Sequence, residues 1–182
     1  MEAEGVDGTM GNVTIRDAIE ADLAAIVAIY NAAIPTRIAT ADLEPISIES
    51  RRGWFAQHSP DSRPLWVLEV DRQIAAWIAL NSFYAGRPAY NCTAEVSIYI
   101  APEHQRQGYG SLLLRRLIEA CPRLKVTTLL AFYFDHNLGS RRLFEQHGFQ
   151  PQGHFPEIAI LDGQKRGLVI AMLKVDRVET EG

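Results

Sequence analysis

Hydrophobic residues recur with two different periods along the chain, and these periods predict alternating helices and strands. One apolar set is spaced as a single face of an α-helix and comprises Leu23, Ile26, Val27 and Tyr30. Between residues 94 and 100, apolar and polar residues alternate instead, which is typical of a strand with one buried face. We therefore expect Glu95, Ser97 and Tyr99 on one face of this strand, and Val96, Ile98 and Ile100 on the other.

The remaining apolar runs complete a mixed pattern of elements. Strands are expected at residues 13–16, 65–70, 74–80, 127–134, 149–161 and 168–175, and further helices after Ser47, from Ser111 and from Leu138. Asp71-Arg72 separates two of the strands and predicts a hairpin. The run at 127–134 is apolar on both faces, which indicates a central strand. The predicted order is β-α-α-β-β-β-α-β-α-β-β, an α+β fold.

Length and composition favour a single globular domain. The chain has 182 residues, of which 47% are hydrophobic and 22% charged. We expect one domain over residues 13–175, an N-terminal tail over 1–12 and a C-terminal tail over 176–182. A net charge of −4 argues against nucleic-acid partners. Two cysteines, no secretory signal at the start and no long apolar run predict a cytoplasmic protein without membrane contact. The five histidines show no metal-ligand spacing, so no metal is expected.

A glycine-rich turn lies between the strand at 94–100 and the helix that follows it. It reads Gln105-Arg106-Gln107-Gly108-Tyr109-Gly110-Ser111. Its two glycines allow positive φ and close backbone approach, which would leave N–H groups at a helix N-terminus free to bind an anion such as a phosphate. A Walker A lysine is absent, and Leu113 stands where a dinucleotide fingerprint needs a third glycine. A tight turn without a ligand is the competing interpretation.

Three stretches resemble one enzyme family. Gln105-x-x-Gly108-x-Gly110 is similar to the acyl-CoA signature of the GNAT N-acetyltransferases. The segment 136–149 resembles the N-x-x-S…E-x-x-G-F segment of that family. The segment 87–100, together with Trp54-Phe55-x-x-His58, is similar to the branch of phosphinothricin and methionine sulfone or sulfoximine acetyltransferases. The resemblance extends from about residue 13 to residue 174.

The resemblance implies a fold, a cosubstrate and a homodimer. The GNAT fold has a central twisted mixed sheet between layers of helices, and the sheet splays where acetyl-CoA enters. By resemblance, the glycine turn holds the pyrophosphate, the strand backbone pairs with the pantetheine amides, and an asparagine contacts the pantetheine arm. The implied cofactor-binding residues are Ile98, Tyr99, Ile100, Arg106, Gln107, Gly108, Tyr109, Gly110, Ser111, Asn137 and Ser140.

Glu95 is the candidate general base for direct acetyl transfer to a primary amine, most simply the α-amine of a small amino acid or analogue. A cross-strand ion pair at the surface is the competing interpretation of this carboxylate. Arg87, Tyr90 and Thr93 precede Glu95 and are candidate substrate-binding residues, since an arginine can hold a carboxylate through two hydrogen bonds. Arg37 is a further candidate. A protein N-terminus, a polyamine or an aminoglycoside remains an alternative acceptor.

Phe144 departs from the family pattern. It occupies the position where related enzymes place a tyrosine or histidine that protonates the leaving thiolate. Three explanations stay open: the proton comes from solvent, it comes from Tyr99 or Tyr133, or the chain is a non-catalytic acyl-CoA-binding module. The residues after Gly163 also differ from the W-H-D-V ending of the branch, which leaves the choice of substrate open.

Overall fold

One seven-stranded sheet forms the centre of the fold. The structure is a computed structural model that describes residues 12–175. The strands are β1 (Val13–Asp17), β2 (Leu65–Val70), β3 (Gln73–Ser82), β4 (Thr93–Ile100), β5 (Thr128–Phe134), β6 (Gln150–Leu161) and β7 (Gln164–Lys174). They lie in the order β1-β2-β3-β4-β5-β7-β6, and only the β4–β5 pair is parallel. The sheet is therefore mixed, and β5 is central as its apolar sequence predicts.

Four α-helices connect the strands. They are α1 (Leu23–Ala33), α2 (Ile48–Phe55), α3 (Tyr109–Ala120) and α4 (Leu138–Gln146). Ser47 caps α2, because its hydroxyl oxygen accepts a hydrogen bond from the N–H of Ser50 at 3.1 Å. Gly148 follows α4 with a φ of +85°, the left-handed conformation that commonly ends a helix. The element order predicted from the sequence is confirmed.

The helices cover both faces of the sheet and create two apolar clusters. On one face, Leu113, Leu114 and Leu117 of α3 are fully buried in a cluster that includes strand residues of β2 to β5 and Phe144 of α4. On the other face, Ile26 of α1 packs in a second cluster with strand residues, and α2 borders it. The predicted three-layer architecture is confirmed.

The sheet splays between β4 and β5. The two strands pair only from Thr93 opposite Thr128 to Glu95 opposite Leu130. Beyond Glu95, β4 continues to pair with β3 as far as Ile100, but its other edge has no strand partner among residues 12–175. The backbone of Ile98, Tyr99 and Ile100 therefore lines an opening in the sheet, as the resemblance implies.

The C-terminal hairpin is longer than the sequence predicts. β7 begins at Gln164, four residues before the expected start at Leu168, because its polar first residues pair with β6 across the turn at Asp162-Gly163. Both turn residues have positive φ, 47° and 78°. Of the predicted tails, residues 1–11 and 176–182 lie outside the described residues. Between residues 12 and 175, no helix is both long and apolar enough to cross a membrane.

Candidate active site

The start of α3 presents free backbone donors. Gly108 precedes the helix with a φ of +83°, and its carbonyl accepts the first helical hydrogen bond, from Leu112 at 3.0 Å. The N–H groups of Tyr109, Gly110 and Ser111 come before that bond and have no carbonyl one turn earlier. They lie at the positive end of the helix dipole, so the turn can bind an anion without a basic side chain.

Gly110 serves a different purpose from Gly108. A Cβ atom at Gly110 would lie 3.1 Å from Cδ1 of Ile100 and 3.4 Å from Cδ2 of Leu143. The missing side chain therefore lets α3 approach both β4 and α4 closely. This packing holds the free N–H groups beside the opening in the sheet.

The other residues of the turn make mainly local contacts. Arg106 is exposed and has a φ of +58°, and the side chain of Gln107 donates to the carbonyl of Glu103 at 3.1 Å. The hydroxyl of Ser111 is hydrogen-bonded to Nε2 of His147 at 2.7 Å. Burial lowers the pKa of His147, which favours the neutral ring. The guanidinium of Arg106 is thus the free cation of the turn among the described residues.

Glu95 occupies the last β4 position that pairs with β5. On the adjacent strand β3, Asn81 lies opposite Glu95. The side chain is half-buried, and burial raises its pKa above the ordinary value of a glutamate. Its carboxylate makes no hydrogen bond or ion pair with any residue between 12 and 175, so the cross-strand ion pair of the competing interpretation is not formed within the described chain. A half-buried carboxylate without a donor is a stronger base than a solvated one.

Asn81 organises the polar groups around Glu95. The indole N–H of Trp54 donates to Oδ1 of Asn81 at 3.1 Å, and Nδ2 of Asn81 donates to Oγ of Ser97 at 3.0 Å. Because an indole nitrogen can only donate, Trp54 fixes which end of the amide faces β4. Sequence reasoning missed Asn81. The available signal was that a polar residue directly follows the apolar run 74–80.

Asn137 and Tyr99 hold the loop that follows α1. The Asn137 side chain caps α4 by accepting from the N–H of Ser140 at 3.0 Å, and it donates to the carbonyl of Ile38 at 3.2 Å. The hydroxyl of Tyr99 donates to the carbonyl of Ala39 at 3.0 Å. The loop thus lies against β4 on one side and the start of α4 on the other, next to the opening of the sheet.

The candidate acceptor-binding residues are divided among three places. Thr93 lies two residues before Glu95 and therefore on the same face of β4. Arg87 and Tyr90 lie in the exposed β3–β4 connection, where the Arg87 guanidinium lies 5.4 Å from the ring centre of Tyr84. Arg37 lies elsewhere, where its guanidinium makes an ion pair with Asp162 at 2.7 Å.

Phe144 is part of the core. It is buried between Tyr133, whose ring is stacked at 6.0 Å, and Phe149, whose ring lies edge-on at 5.0 Å. Burial raises the pKa of Tyr133 and that of Tyr99, so both hydroxyls hold their protons more tightly than an exposed tyrosine does. Within residues 12–175, no three His, Cys, Asp or Glu side chains are grouped so that they could hold a metal ion.

Comparison with known proteins decides the family. Residues 26–149 match the model of the acetyltransferase (GNAT) family, and this match covers more than half of the chain. The chain belongs to the GNAT acetyltransferase family. The acetyltransferase interpretation and the GNAT fold expected from the sequence are thereby confirmed.

Three similar proteins illustrate the relationship. YwnH of Bacillus subtilis (strain 168), whose name proposes a phosphinothricin acetyltransferase activity, is 49% identical over 159 residues, 87% of this chain and 96% of YwnH. The L-methionine sulfoximine/L-methionine sulfone acetyltransferase of Salmonella typhimurium is 28% identical, over 90% of this chain and 95% of that protein. The structure of a phosphinothricin acetyltransferase from Sinorhizobium meliloti in complex with AcCoA has a TM-score of 0.83 at 26% identity, covering 90% of this GNAT chain and 88% of that one.

Proposed function

We propose that the chain transfers the acetyl group of acetyl-CoA directly to the α-amine of a small amino acid or analogue of the phosphinothricin, methionine sulfone or methionine sulfoximine type. The names of the similar proteins support this class of acceptor. The observation that carries the proposal is the position of Glu95, a half-buried carboxylate where β4 and β5 separate, which has no partner among residues 12–175.

Glu95 acts as the general base in this proposal. An amino acid arrives as an ammonium, which cannot attack a thioester until it loses a proton. The carboxylate takes that proton, the amine nitrogen forms a bond to the acetyl carbon, and the C–S bond breaks with its electron pair on sulfur. The nitrogen then loses a second proton to water and becomes a neutral amide, and Glu95 returns its own proton to solvent after product leaves. Direct transfer is favoured because the site contains no nucleophile activated by a base.

The residues around the opening fit acetyl-CoA, which supplies an acetyl group activated as a thioester. The free N–H groups at the start of α3, within the turn Arg106–Ser111, suit the pyrophosphate. The free edge of β4 at Ile98–Ile100 suits the pantetheine amides, and an N–H of this edge would polarise the thioester oxygen. Asn137 and Ser140 border the same opening at the start of α4.

Thr93, Arg87 and Tyr90 complete the acceptor site in this proposal. Arg87 would hold the carboxylate of the amino acid through its guanidinium, whose ring contact with Tyr84 leaves its N–H donors available. Thr93 would contribute its hydroxyl beside Glu95. An acceptor with no carboxylate would lose this interaction, which distinguishes amino acids from polyamines and aminoglycosides.

The leaving thiolate takes its proton from solvent in this proposal. Phe144 has no proton to give, and the hydroxyl of Tyr99 already donates to the carbonyl of Ala39. Burial raises the pKa of both Tyr99 and Tyr133, which makes either hydroxyl a weak acid near neutral pH. The opening in the sheet gives water a route to the sulfur.

A homodimer is the assembly we propose. β6 is an edge strand that exposes Phe155, Ile158 and Ile160, at 47%, 59% and 64% of their surfaces. Large exposed apolar side chains on an edge strand are typical of a protein–protein contact. Sedimentation of the chain and of Ile158→Lys tests this: a dimer that dissociates in the variant supports it, and a monomeric parent chain contradicts it.

Thiol release in the presence of acetyl-CoA tests the enzymatic proposal. The acceptors are methionine sulfone, methionine sulfoximine, phosphinothricin, a polyamine, an aminoglycoside and a peptide with a free N-terminus. We expect turnover with the amino acids, and Glu95→Gln should lower kcat/KM about 10²- to 10⁴-fold while acetyl-CoA binding is retained. Glu119→Gln, an exposed change on α3, is the matched control. Turnover with the cationic acceptors alone, or full activity of Glu95→Gln, would contradict the proposal.

A further inference from the structure

His58 contains a buried hydrogen-bond acceptor that has no donor. Its Nδ1 lies 3.0 Å from the carbonyl oxygen of Trp54, one helical turn earlier. A carbonyl can only accept, so Nδ1 carries the hydrogen and Nε2 of the neutral ring is unprotonated. Nε2 is buried and has no hydrogen-bond partner among the described residues. A buried acceptor in this state destabilises the fold unless a ligand or water donates to it.

The empty acceptor lies next to the surroundings of Glu95. The His58 ring packs edge-on against Trp54, with ring centres 4.7 Å apart, and the Trp54 indole binds Asn81. Asn81 is the cross-strand neighbour of Glu95. The side chain of Asn81 accepts from Trp54 at its oxygen, and its nitrogen donates to Ser97 and, at 3.5 Å, to the carbonyl of Glu95. Among residues 12–175, neither the Glu95 carboxylate nor Nε2 of His58 has a hydrogen-bond donor, and both residues are neighbours of the Trp54–Asn81 pair.

We propose that His58 and Glu95 together bind the ammonium group of the acceptor, with Nε2 of His58 accepting one of its N–H bonds. This inference rests on the proposed function, because it takes Glu95 as the base. A primary ammonium has three donors, and it satisfies both acceptors while leaving one N–H for other contacts. Glu95 takes the proton, whereas His58 accepts a hydrogen bond throughout and orients the nitrogen toward the thioester. This pair of acceptors would make the site selective for primary amines.

The electrostatics around His58 agree with this role. Burial lowers the pKa of His58, and the hydrogen bond with the backbone carbonyl of Trp54 offsets part of that effect. The ring is therefore neutral at pH 7 and can accept. The charged groups that face this cluster include the Glu95 carboxylate, opposite Asn81 on β4, and the Arg51 guanidinium of α2, which lies 5.3 Å from the ring centre of Trp54.

Two substitutions and two ligands separate ammonium binding from a structural role. His58→Leu removes the acceptor, and His58→Gln keeps one. The first ligand is methionine sulfone, for which the KM is measured. The second is the same acid without its amine, for which the constant of competitive inhibition is measured. We expect His58→Leu to raise the KM for methionine sulfone about 10- to 100-fold and to leave the inhibition constant of the amine-free acid unchanged. His58→Gln should recover most of the lost affinity.

The matched controls are His154→Leu and His154→Gln on β6, where the histidine pairs with Asp135 instead. They should change neither ligand's affinity. If His58→Leu weakens both ligands equally, the effect is structural and the proposal fails. It also fails if His58→Leu changes neither ligand.

Failure of the proposed function can be told apart from failure of this inference. Absence of thiol release by the parent chain with all acceptors would reject the proposed function alone. In that case the nitrogen-15 signal of Nε2 in His58 of the parent chain is followed during titration with methionine sulfone and with the amine-free acid. A shift with the amine only supports the ammonium site, and no shift with either ligand overturns it.

Discussion

Arg37 and Asp162 form an ion pair across 125 residues of sequence, with Nε of the arginine 2.7 Å from Oδ2 of the aspartate. The same guanidinium also donates to the carbonyls of Ile34 and Leu43, at 3.1 and 2.9 Å. Arg37 therefore joins the loop after α1 to the β6–β7 turn. The loop rests on Asn137 and Tyr99 beside the opening of the sheet, so this ion pair is part of what positions the wall of the site.

Asp162→Asn should loosen this loop without unfolding the protein. Because the Asp162 side chain is 61% exposed, solvent screens the pair, and we expect the KM for the acceptor to rise about two- to fivefold. The KM for acetyl-CoA should not change. Steady-state kinetics measures both. Glu157→Gln, which breaks the neighbouring pair with Lys165 at 3.2 Å, is the control and should have no effect. Equal effects of the two changes would mean that the hairpin, not the Arg37 contact, matters.

The burial of Glu95 predicts how both activity and stability depend on pH. The pKa of Glu95 is raised, so the base is ionised only at higher pH than an ordinary glutamate, and the acidic limb of kcat/KM should be shifted upward accordingly. The folded state disfavours the ionised form, so this residue lowers stability as pH rises from the unfolded pKa through the folded one. Glu95→Gln should therefore melt at a higher temperature than the parent chain at pH 8, and the gap should close in acid. A constant gap in thermal scans across pH would contradict this account.

The two glycines of the turn should respond differently to alanine. At Gly108 the φ of +83° is strained for any other residue although space is open, so Gly108→Ala should cost about 1–2 kcal/mol. At Gly110 the added Cβ meets the flexible end of Ile100 at 3.1 Å, while a better helix former gains about 1 kcal/mol. We expect Gly110→Ala to be nearly neutral. Urea denaturation gives both free energies of unfolding, and a larger loss for Gly110→Ala would show that the packing of α3 on β4 cannot adjust.

Gly167 lies in close contact with the ion pair formed by Asp135 and His154. A Cβ at this position would come closer to Asp135 Oδ2 than any real contact, and it would also clash with His154. Gly167→Ala should destabilise the fold by about 1–3 kcal/mol because the pair, held at 3.0 Å, must separate. The cost should shrink in a background carrying His154→Ala, and a double-mutant cycle of unfolding free energies measures this coupling. Strict additivity would show that the two positions do not interact.

Local pattern was sufficient to predict most of the architecture. Each of two patterns reflects a single element with one buried face: the helical spacing from Leu23 to Tyr30 and the alternation from residue 94 to residue 100. Such an element can be identified from its own residues, without knowing its neighbours in the fold. The early start of β7 was missed because it leaves no such local pattern. Residues 164–167 are polar and show no apolar alternation, and only their pairing with β6 makes them a strand.

The sequence by itself determined the order of elements, the glycine turn before α3, the family resemblance and Glu95 as the candidate base. Each depends on residues that are neighbours along the chain. Only the tertiary structure decided that Asn81 and His58 accompany Glu95, that Arg37 is paired with Asp162, and that Phe144 is enclosed by Tyr133 and Phe149. These contacts depend on strand register and on how helices pack across the sheet, and no periodicity along the chain records which distant side chains meet.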